Sequence, residues 1–487
     1  MPERLNIAII GGGCSGALAA LHLLRDPRPA RIHLIEPRAI VGTGMAYSTD
    51  CPQHLLNVPA RCMSVSPATP GDFVEWLRND GGAPANPDEF ISRQRFGRYV
   101  ADRLETSRRE ARPNNIFEGH HAEVLEVGRQ RERAILHLNN RTRLEADFVV
   151  LALGNAAPRP LPFFPRAGTD SMFYESAWSR GALAPPDPHS DVALVGSGLT
   201  AVDAFLALRA NGHRGVVHMI SRRGLLPQPH VPCHNNPGRA VLWESGKLRD
   251  LVRQVRERAA AAEEQSSNWR DVINSLRQVT NELWQQLTPS DRERFYRHVK
   301  PYWDAHRHRM APQTAAMLNE ARRSGGLEVH SGRIQRIAEG PETLKIHLLL
   351  RSQKVASIHA QRAINCTGSE QDYRRVDSPL LRSLFSKGWL SVNPPGLGVR
   401  TTDNGAVVDR HGAALPWLFA IGPMRVGGRL ETTAVPEIRE QAAALAETLL
   451  FRPAVTRAEG QSADKVLAPS SRWRTSVSLP HPIPPAG

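Results

Sequence analysis

Two glycine-rich hexapeptides carry most of the chemistry legible in this chain. The first, Gly11-Gly12-Gly13-Cys14-Ser15-Gly16, follows the apolar run Leu5 to Ile10 and precedes a helix-forming stretch from Ala17 to Leu24. In a G-x-G-x-x-G at a strand-to-helix junction, Gly11 permits the tight turn, Gly13 lets the backbone approach a pyrophosphate and Gly16 lets helix and strand pack closely. The helix start, with Ser15 in its first turn, then turns unpaired N–H groups toward the phosphates. A second apolar run, Ile32 to Ile35, ends at Glu36. Its carboxylate falls about twenty residues beyond the last glycine, where it can accept hydrogen bonds from a ribose diol.

The second hexapeptide, Gly196-Ser197-Gly198-Leu199-Thr200-Ala201, follows Val192 to Val195 and leads into a helix from Val202 to Leu208 and a strand from Val216 to Ile220. Here the acid position is replaced by Ser221-Arg222-Arg223. A carboxylate would repel a 2′-phosphate, whereas an arginine fork can bind one, so Arg222 and Arg223 favour NADPH over NADH. A pair of solvated surface arginines is the other reading of the same residues.

What accompanies these motifs narrows the reaction. The five cysteines, Cys14, Cys51, Cys62, Cys233 and Cys366, contain no C-x-x-C pair. That argues against a local dithiol, a zinc ribbon and a disulfide scaffold, and suits a reducing cytoplasm. Electrons entering from a nicotinamide would pass to dioxygen or to an organic molecule. The histidines lack ligand spacing with cysteines or carboxylates, so no metal is expected. Neither a G-x-S-x-G elbow nor a G-K-[ST] phosphate loop occurs. The net charge of +14, from 62 basic and 48 acidic residues, is scattered rather than clustered. It is read as anionic cofactors plus a basic surface, without nucleic acid as a partner. The apolar N-terminal run is broken by glycines, and no other stretch is long and apolar enough to cross a membrane.

The elements around the motifs look like one architecture used twice. Ala146 to Gly154 closes the first unit with an apolar strand stopping at glycine, and Ala363 to Gly368 closes the second in the same way. Before each lies a β-prone segment, His121 to Leu138 and Leu327 to Leu350. The second copy is longer. Its extra residues, Trp243 to Pro312, carry Leu248, Leu251, Val252 and Val255 at helical spacing and read as inserted helices. A last strand, Leu418 to Ile421, ends at Gly422, and a helix follows from about Val435 to Leu450 with Pro436 in its first turn. The expected fold class is α/β, with two Rossmann-like dinucleotide-binding domains and a helical insertion in the second. The expected boundaries are 1–160 and 369–451 for the FAD-binding domain, 186–368 for the NADPH-binding domain, about 241–324 for the insert, and 452–487 for a disordered tail rich in Pro, Ser and Arg.

These motifs together resemble the two-dinucleotide-binding-domain flavoproteins, which include flavin-containing and N-hydroxylating monooxygenases and the disulfide reductases. Gly42 to Tyr47 (GTGMAY), His54 to Met63 (HLLNVPARCM), Gly196 to Asp203 (GSGLTAVD), Tyr302 to Met310 (YWDAHRHRM) and Glu431 to Glu437 (ETTAVPE) more narrowly resemble the bacterial FAD/NAD(P)-binding family of the YdhS type. The resemblance covers roughly residues 5–450. It implies FAD and NADPH as cofactors, with Gly154, Gly368, Gly422, Thr432 and Thr433 joining the two glycine motifs around them. It implies that the loop carrying Gln53 and Asn57 approaches the flavin ring, and these two are the catalytic candidates. It also raises His306, Arg307 and Arg309 as binders of a substrate carboxylate, with His306 and Arg309 serving one anion if the helix carries both.

The resulting expectation is a monooxygenase that works through a flavin-oxygen adduct on a small amino acid or amine, with dioxygen as co-substrate. Two alternatives stand beside it: an NADPH-dependent reductase or dehydrogenase of an organic substrate, and a non-catalytic FAD-binding interaction protein. A homo-oligomer is compatible with all three.

Overall fold

The computed structural model describes residues 4–80, 86–164, 172–184, 187–231, 246–264 and 268–451. The tail expected to be disordered, Cys233 and the first residues of the expected insert lie outside them. Strand Leu5–Ile10 sits between strands Ala30–Ile35 and Phe148–Leu151, parallel to both. A strand covered on both faces favours apolar residues at successive positions, as at residues 7–10 and in Phe148–Leu151, whereas Ala30–Ile35 interrupts its apolar residues with Arg31 and His33. Strand Ile116–His120 closes one edge. Strand Ala414–Ala420 joins the other side, parallel to Phe148–Leu151, with Ala406–Val408 antiparallel beyond it. Chain segments far apart in sequence therefore share one six-stranded sheet.

Helices Cys14–Arg25, Arg93–Arg109 and Val435–Leu450 cover one face of that sheet, burying Leu18, Leu21, Tyr99 and Leu449 against Ile7, Ile9 and Ile32. The other face, Ala8, Ile10, Val149 and Leu151, packs on Val127 and Leu136 of a small antiparallel sheet of strands Val124–Gln130, Arg133–Leu138 and Arg143–Ala146.

The second sheet repeats the plan. Strand Val192–Val195 lies between Val217–Ser221 and Arg362–Asn365, parallel to both, and Leu327–Glu339 pairs parallel to Val217–Ser221 through its first residues. The later residues of Leu327–Glu339 bend into an antiparallel meander with Leu344–Leu350 and Val355–Ala360. The sheet also recruits Phe173–Tyr174, upstream of position 186, beside Arg362–Asn365.

The insert forms helices Leu248–Glu264, Trp269–Leu276, Thr280–Gln286, Pro289–Arg294 and Lys300–Arg307, with a π-helical turn at Phe295–Val299. It has its own core of Ile273, Leu276, Trp284 and Phe295. Among the described residues no helix is long and apolar enough to cross a membrane.

Candidate functional site

Each glycine motif turns where its strand ends. Gly11 has φ +102°, and its N–H donates to Ile35 O at 2.9 Å. Gly196 has φ +137°, and its N–H donates to Ile220 O at 2.8 Å. The helices that follow, Cys14–Arg25 and Leu199–Ala210, start from extended glycines, Gly13 and Gly198, with no side chain capping their first-turn N–H groups. Uncapped helix starts with the positive end of the helix dipole behind them are anion-binding sites. A methyl group at Gly198 would meet no atom within 4 Å, so that turn faces open space. Gly154 and Gly368, which end the equivalent strands, are likewise open on their Cβ side and hold φ of +68° and +89°.

The residues after the second strand of each half also correspond. Glu36 is buried, and its carboxylate accepts from Gly12 N–H at 2.7 Å and from Arg38 Nε at 2.8 Å. Burial pushes its pKa up, but Arg38 and the Gly12 N–H outweigh that and hold it below the usual glutamate value. In the second half Ser197 Oγ donates to Leu225 O at 2.6 Å and lies 2.8 Å from Ser221 Oγ, so hydroxyls fill the place of the carboxylate. Arg222 is exposed and makes no hydrogen bond or ion pair with a described residue. Arg223 turns away, over the Tyr302 ring at 5.6 Å and toward Arg297 O at 3.4 Å. The two arginines, treated alike in the sequence, thus differ in what they offer a ligand.

The C-terminal segment returns to the first motif. Gly422 lies so close to Ser15 that a Cβ there would stand 2.5 Å from Ser15 Oγ. Thr432 is fully buried, donating through Oγ1 to Gly422 O at 2.9 Å and accepting from Gln441 Nε2 at 3.0 Å, while Thr433 is exposed.

The loop of Gln53 and Asn57 runs between the two halves. His54 donates from Nε2 to Asp203 O at 2.8 Å and accepts from Thr49 at Nδ1, 2.7 Å. Arg93 forks onto Asp203 at 2.6 and 3.2 Å. Asp203 is one turn into helix Leu199–Ala210, so these contacts join that helix to the first half. The Asn57 side chain is half-buried and makes no hydrogen bond with a described residue, whereas Gln53 Oε1 accepts from Cys51 Sγ at 3.2 Å. His230 donates from Nε2 to Asn57 O at 2.9 Å.

Burial, with the cation of Arg309 nearby, pushes the His230 pKa down to about 4. An unfolded chain would protonate near the ordinary 6.5. Between these values the unfolded state binds a proton that the folded state refuses, so stability is lost as pH falls from 6.5 toward 4. His230→Gln keeps an N–H donor and removes the titration. Its unfolding free energy, measured by denaturant between pH 7 and pH 5, is expected to fall less steeply than that of the native chain.

The expected carboxylate-binding face is corrected. Helix Lys300–Arg307 stops at Arg307, and Met310 instead lies alongside Pro229. Beyond that helix end the i, i+3 relation no longer stacks His306 and Arg309. His306 packs edge-on to Trp269 at 4.9 Å and bonds Tyr302 O through Nδ1, while Arg309 reaches Asn274. Arg307 is already partnered by Glu431, with Nη2 donating to Oε2 at 3.1 Å and Nε lying 2.9 Å from Oε1, off the line of a hydrogen bond. Beside it Arg277 donates twice to Glu437 Oε1, at 2.9 and 2.7 Å, and Trp284 Nε1 donates to Gly427 O at 2.8 Å. These contacts, which no local spacing in the sequence announces, seat the insert on the C-terminal part of the first half.

Cys14, Cys51, Cys62 and Cys366 are all unbridged. Burial pushes the Cys14 thiol up to about 12 and Cys366 above its ordinary value, which keeps both protonated and unreactive.

Residues 8–156 match a family described as FAD-NAD(P)-binding. An uncharacterised protein of Mycobacterium tuberculosis is 24% identical over 282 residues, which are 53% of this chain and 51% of the relative. The chain thus spans about half the length of the curated relatives it matches. The fold is shared with several enzymes of known structure. An ornithine N-hydroxylase of a Kutzneria species superposes with a TM-score of 0.62 over 92% of this chain and 99% of that one, at 14% identity. An L-lysine 6-monooxygenase of Pseudomonas syringae gives 0.61 over 92% and 100%, at 16% identity. A bacillithiol disulfide reductase of Bacillus cereus gives 0.51 over 93% and 100%, at 14% identity. The α/β fold of this chain is therefore shared with these enzymes.

Proposed function

We propose that this chain is an FAD-dependent oxidoreductase that uses NADPH and works as a monooxygenase, N-hydroxylating a small amino acid or amine. We assign 1–160 with 369–451 to the FAD half and 186–368, together with strand Phe173–Tyr174, to the NADPH half. The observation that carries the reading is the pair of uncapped helix starts at glycine turns, the second of them open at Gly198, held in one fold without reactive paired thiols among the described cysteines. When bound, FAD supplies hydride acceptance from NADPH and electron delivery to dioxygen.

Gly11, Gly13, Ser15 and Gly16 then hold the FAD pyrophosphate, and Gly196, Gly198, Leu199 and Thr200 that of NADPH. Glu36 accepts from the FAD ribose in exchange for the exposed Arg38 side chain. Asn57 offers its unengaged amide to the flavin ring. Gly154, Gly368, Gly422 and Thr432 keep the backbone close around both cofactors.

The test is NADPH oxidation by the FAD-loaded chain with lysine, ornithine and short diamines under oxygen, with product identified by mass. An N-hydroxylated product formed only when NADPH and oxygen are both present is the expected result. Steady NADPH oxidation without oxygen, sustained by an organic acceptor, overturns it in favour of a reductase. One observation favours that second reading: Arg307 is engaged by Glu431 and offers no open anchor to a substrate carboxylate.

The arginines give a sharper expectation. A charge-assisted hydrogen bond is worth about 1.5–3 kcal/mol, or roughly 10- to 100-fold. Arg222→Ala is expected to raise the KM for NADPH by about that factor and leave the KM for NADH nearly unchanged. Arg223→Ala, whose side chain packs on Tyr302, is expected to have the smaller effect. Steady-state kinetics with both nucleotides checks the pair.

A further inference from the structure

Each half of the fold holds a His-Glu-His triad at the same place in its sheet. In the second half His218 stands opposite Glu328 in the parallel register, and His330 lies two residues further along the same strand. In the first half His33 stands opposite Glu118, and His120 lies two residues further. Residues two apart on a strand point to the same face, so each triad converges.

The convergence is tight. His218 Nδ1 lies 3.2 Å from His330 Nε2 and 3.4 Å from Glu328 Oε2, and the last two atoms are 3.3 Å apart. Three nearly equal edges describe a face of a small tetrahedron. A tetrahedral ion with ligand bonds of about 2.0–2.1 Å needs donor atoms about 3.3–3.4 Å apart. In the first half the corresponding separations are 3.1, 3.2 and 4.0 Å, the same triangle with one edge opened. A hydrogen-bond network explains this less well. With one proton among the three atoms one pair of lone pairs is left facing, and with a proton on each nitrogen both donate to Glu328 while their N–H groups oppose each other at 3.2 Å.

The surroundings orient the donors. Asp191 Oδ1 accepts from Val216 N–H at 2.9 Å, and its Oδ2 lies 3.6 Å from the outer nitrogen of His218. A carboxylate behind a ligating imidazole is the usual outer-shell arrangement. In the first half Arg31 takes Glu118 Oε1 at 3.3 Å, which leaves Oε2 to face the histidines. His33 and His218 are buried, while Glu328 is exposed and His330 partly so, leaving room for water in a fourth position.

We propose that each triad, His218-Glu328-His330 and His33-Glu118-His120, binds one divalent ion of the zinc class, bridging the two strands that supply it. Two nitrogens and one carboxylate oxygen suit zinc rather than magnesium or calcium, which prefer all-oxygen sets. The proposal is independent of the flavin chemistry.

The experiment is zinc titration of the chelator-stripped full chain by calorimetry, with bound metal counted by mass spectrometry. Two equivalents are expected, each raising the melting temperature. His330→Ala and His120→Ala should each remove one equivalent, and the double variant both. Glu328→Gln changes an exposed side chain and should weaken the second-half site at least tenfold without unfolding the protein. No zinc bound by the native chain, or two equivalents retained in the double variant, would overturn the proposal. Loss of metal in His330→Ala alone, with His120→Ala unchanged from the native count, would overturn it for the first half.

Discussion

Replacing Glu431 by alanine is expected to destabilise the protein by about 3–5 kcal/mol, the range for stranding one member of a buried ion pair. The reason is the asymmetry of the pair. Arg307 and Glu431 are both buried. Burial pushes the Glu431 carboxyl up more than Arg307 and Arg277 pull it down, and Glu437 nearby adds to the rise. Left alone, Glu431 can take up a proton and become neutral. A guanidinium keeps its charge, so removing the carboxylate strands a buried cation. Arg307→Met is therefore expected to cost less than Glu431→Ala at pH 6, and its deficit should grow as pH rises. In that variant the folded-state pKa of Glu431 stays above the unfolded value near 4.3, so stability is lost as pH climbs from there through the folded value. Denaturant unfolding of both variants at pH 6 and 8 checks the order and the slope. Equal losses, or a Glu431→Ala variant near native stability, would mean that the pair does not anchor the insert.

The second large effect separates two glycines with different places in their motifs, Gly16 as the third small residue of the first and Gly198 as the second of the second. A methyl group on Gly16 would lie 1.8 Å from Gly11 O, inside the strand-to-helix junction. Gly16→Ala is expected to give little soluble protein, and any that folds should be purified without bound FAD. A methyl group on Gly198 would meet nothing within 4 Å. Gly198→Ala is expected to melt like the native chain and to keep its FAD. Its KM for NADPH should nevertheless rise at least tenfold, a loss of about 1.4 kcal/mol, because the methyl occupies the approach of the pyrophosphate. A Gly198→Ala variant with native NADPH kinetics would show that the second turn does not cradle phosphate.

The turn motifs, their strands and the closing helix Val435–Leu450 were legible because each rests on local chemistry: a glycine, an apolar run, a proline in a first turn. The insert was legible as helix through its apolar spacing, but not where it docks. Docking depends on Arg277, Trp284 and Arg307 meeting residues 160, 143 and 124 positions away, and no period records such a pairing. The same reason made Arg307 and Arg309 look available. Arginines in a basic run read as solvent-facing until the carboxylates opposite them are known. Each triad leaves only a Glu-x-His pair in the chain, Glu118 with His120 and Glu328 with His330; the other histidine, His33 or His218, comes from the neighbouring parallel strand, and no spacing records that register.

The order in which strands enter the two sheets sets the order in which the protein can fold. All strands of the second sheet come from residues 173–365. The first sheet begins with Leu5–Ile10 yet needs Ala414–Ala420 to flank Phe148–Leu151. Long-range pairings of this kind close slowly, because the intervening chain must be ordered first. During synthesis the half made first therefore waits with an open edge while the half made later is completed within it. That open edge, apolar at Val149 and Val150, is where association between nascent chains would begin.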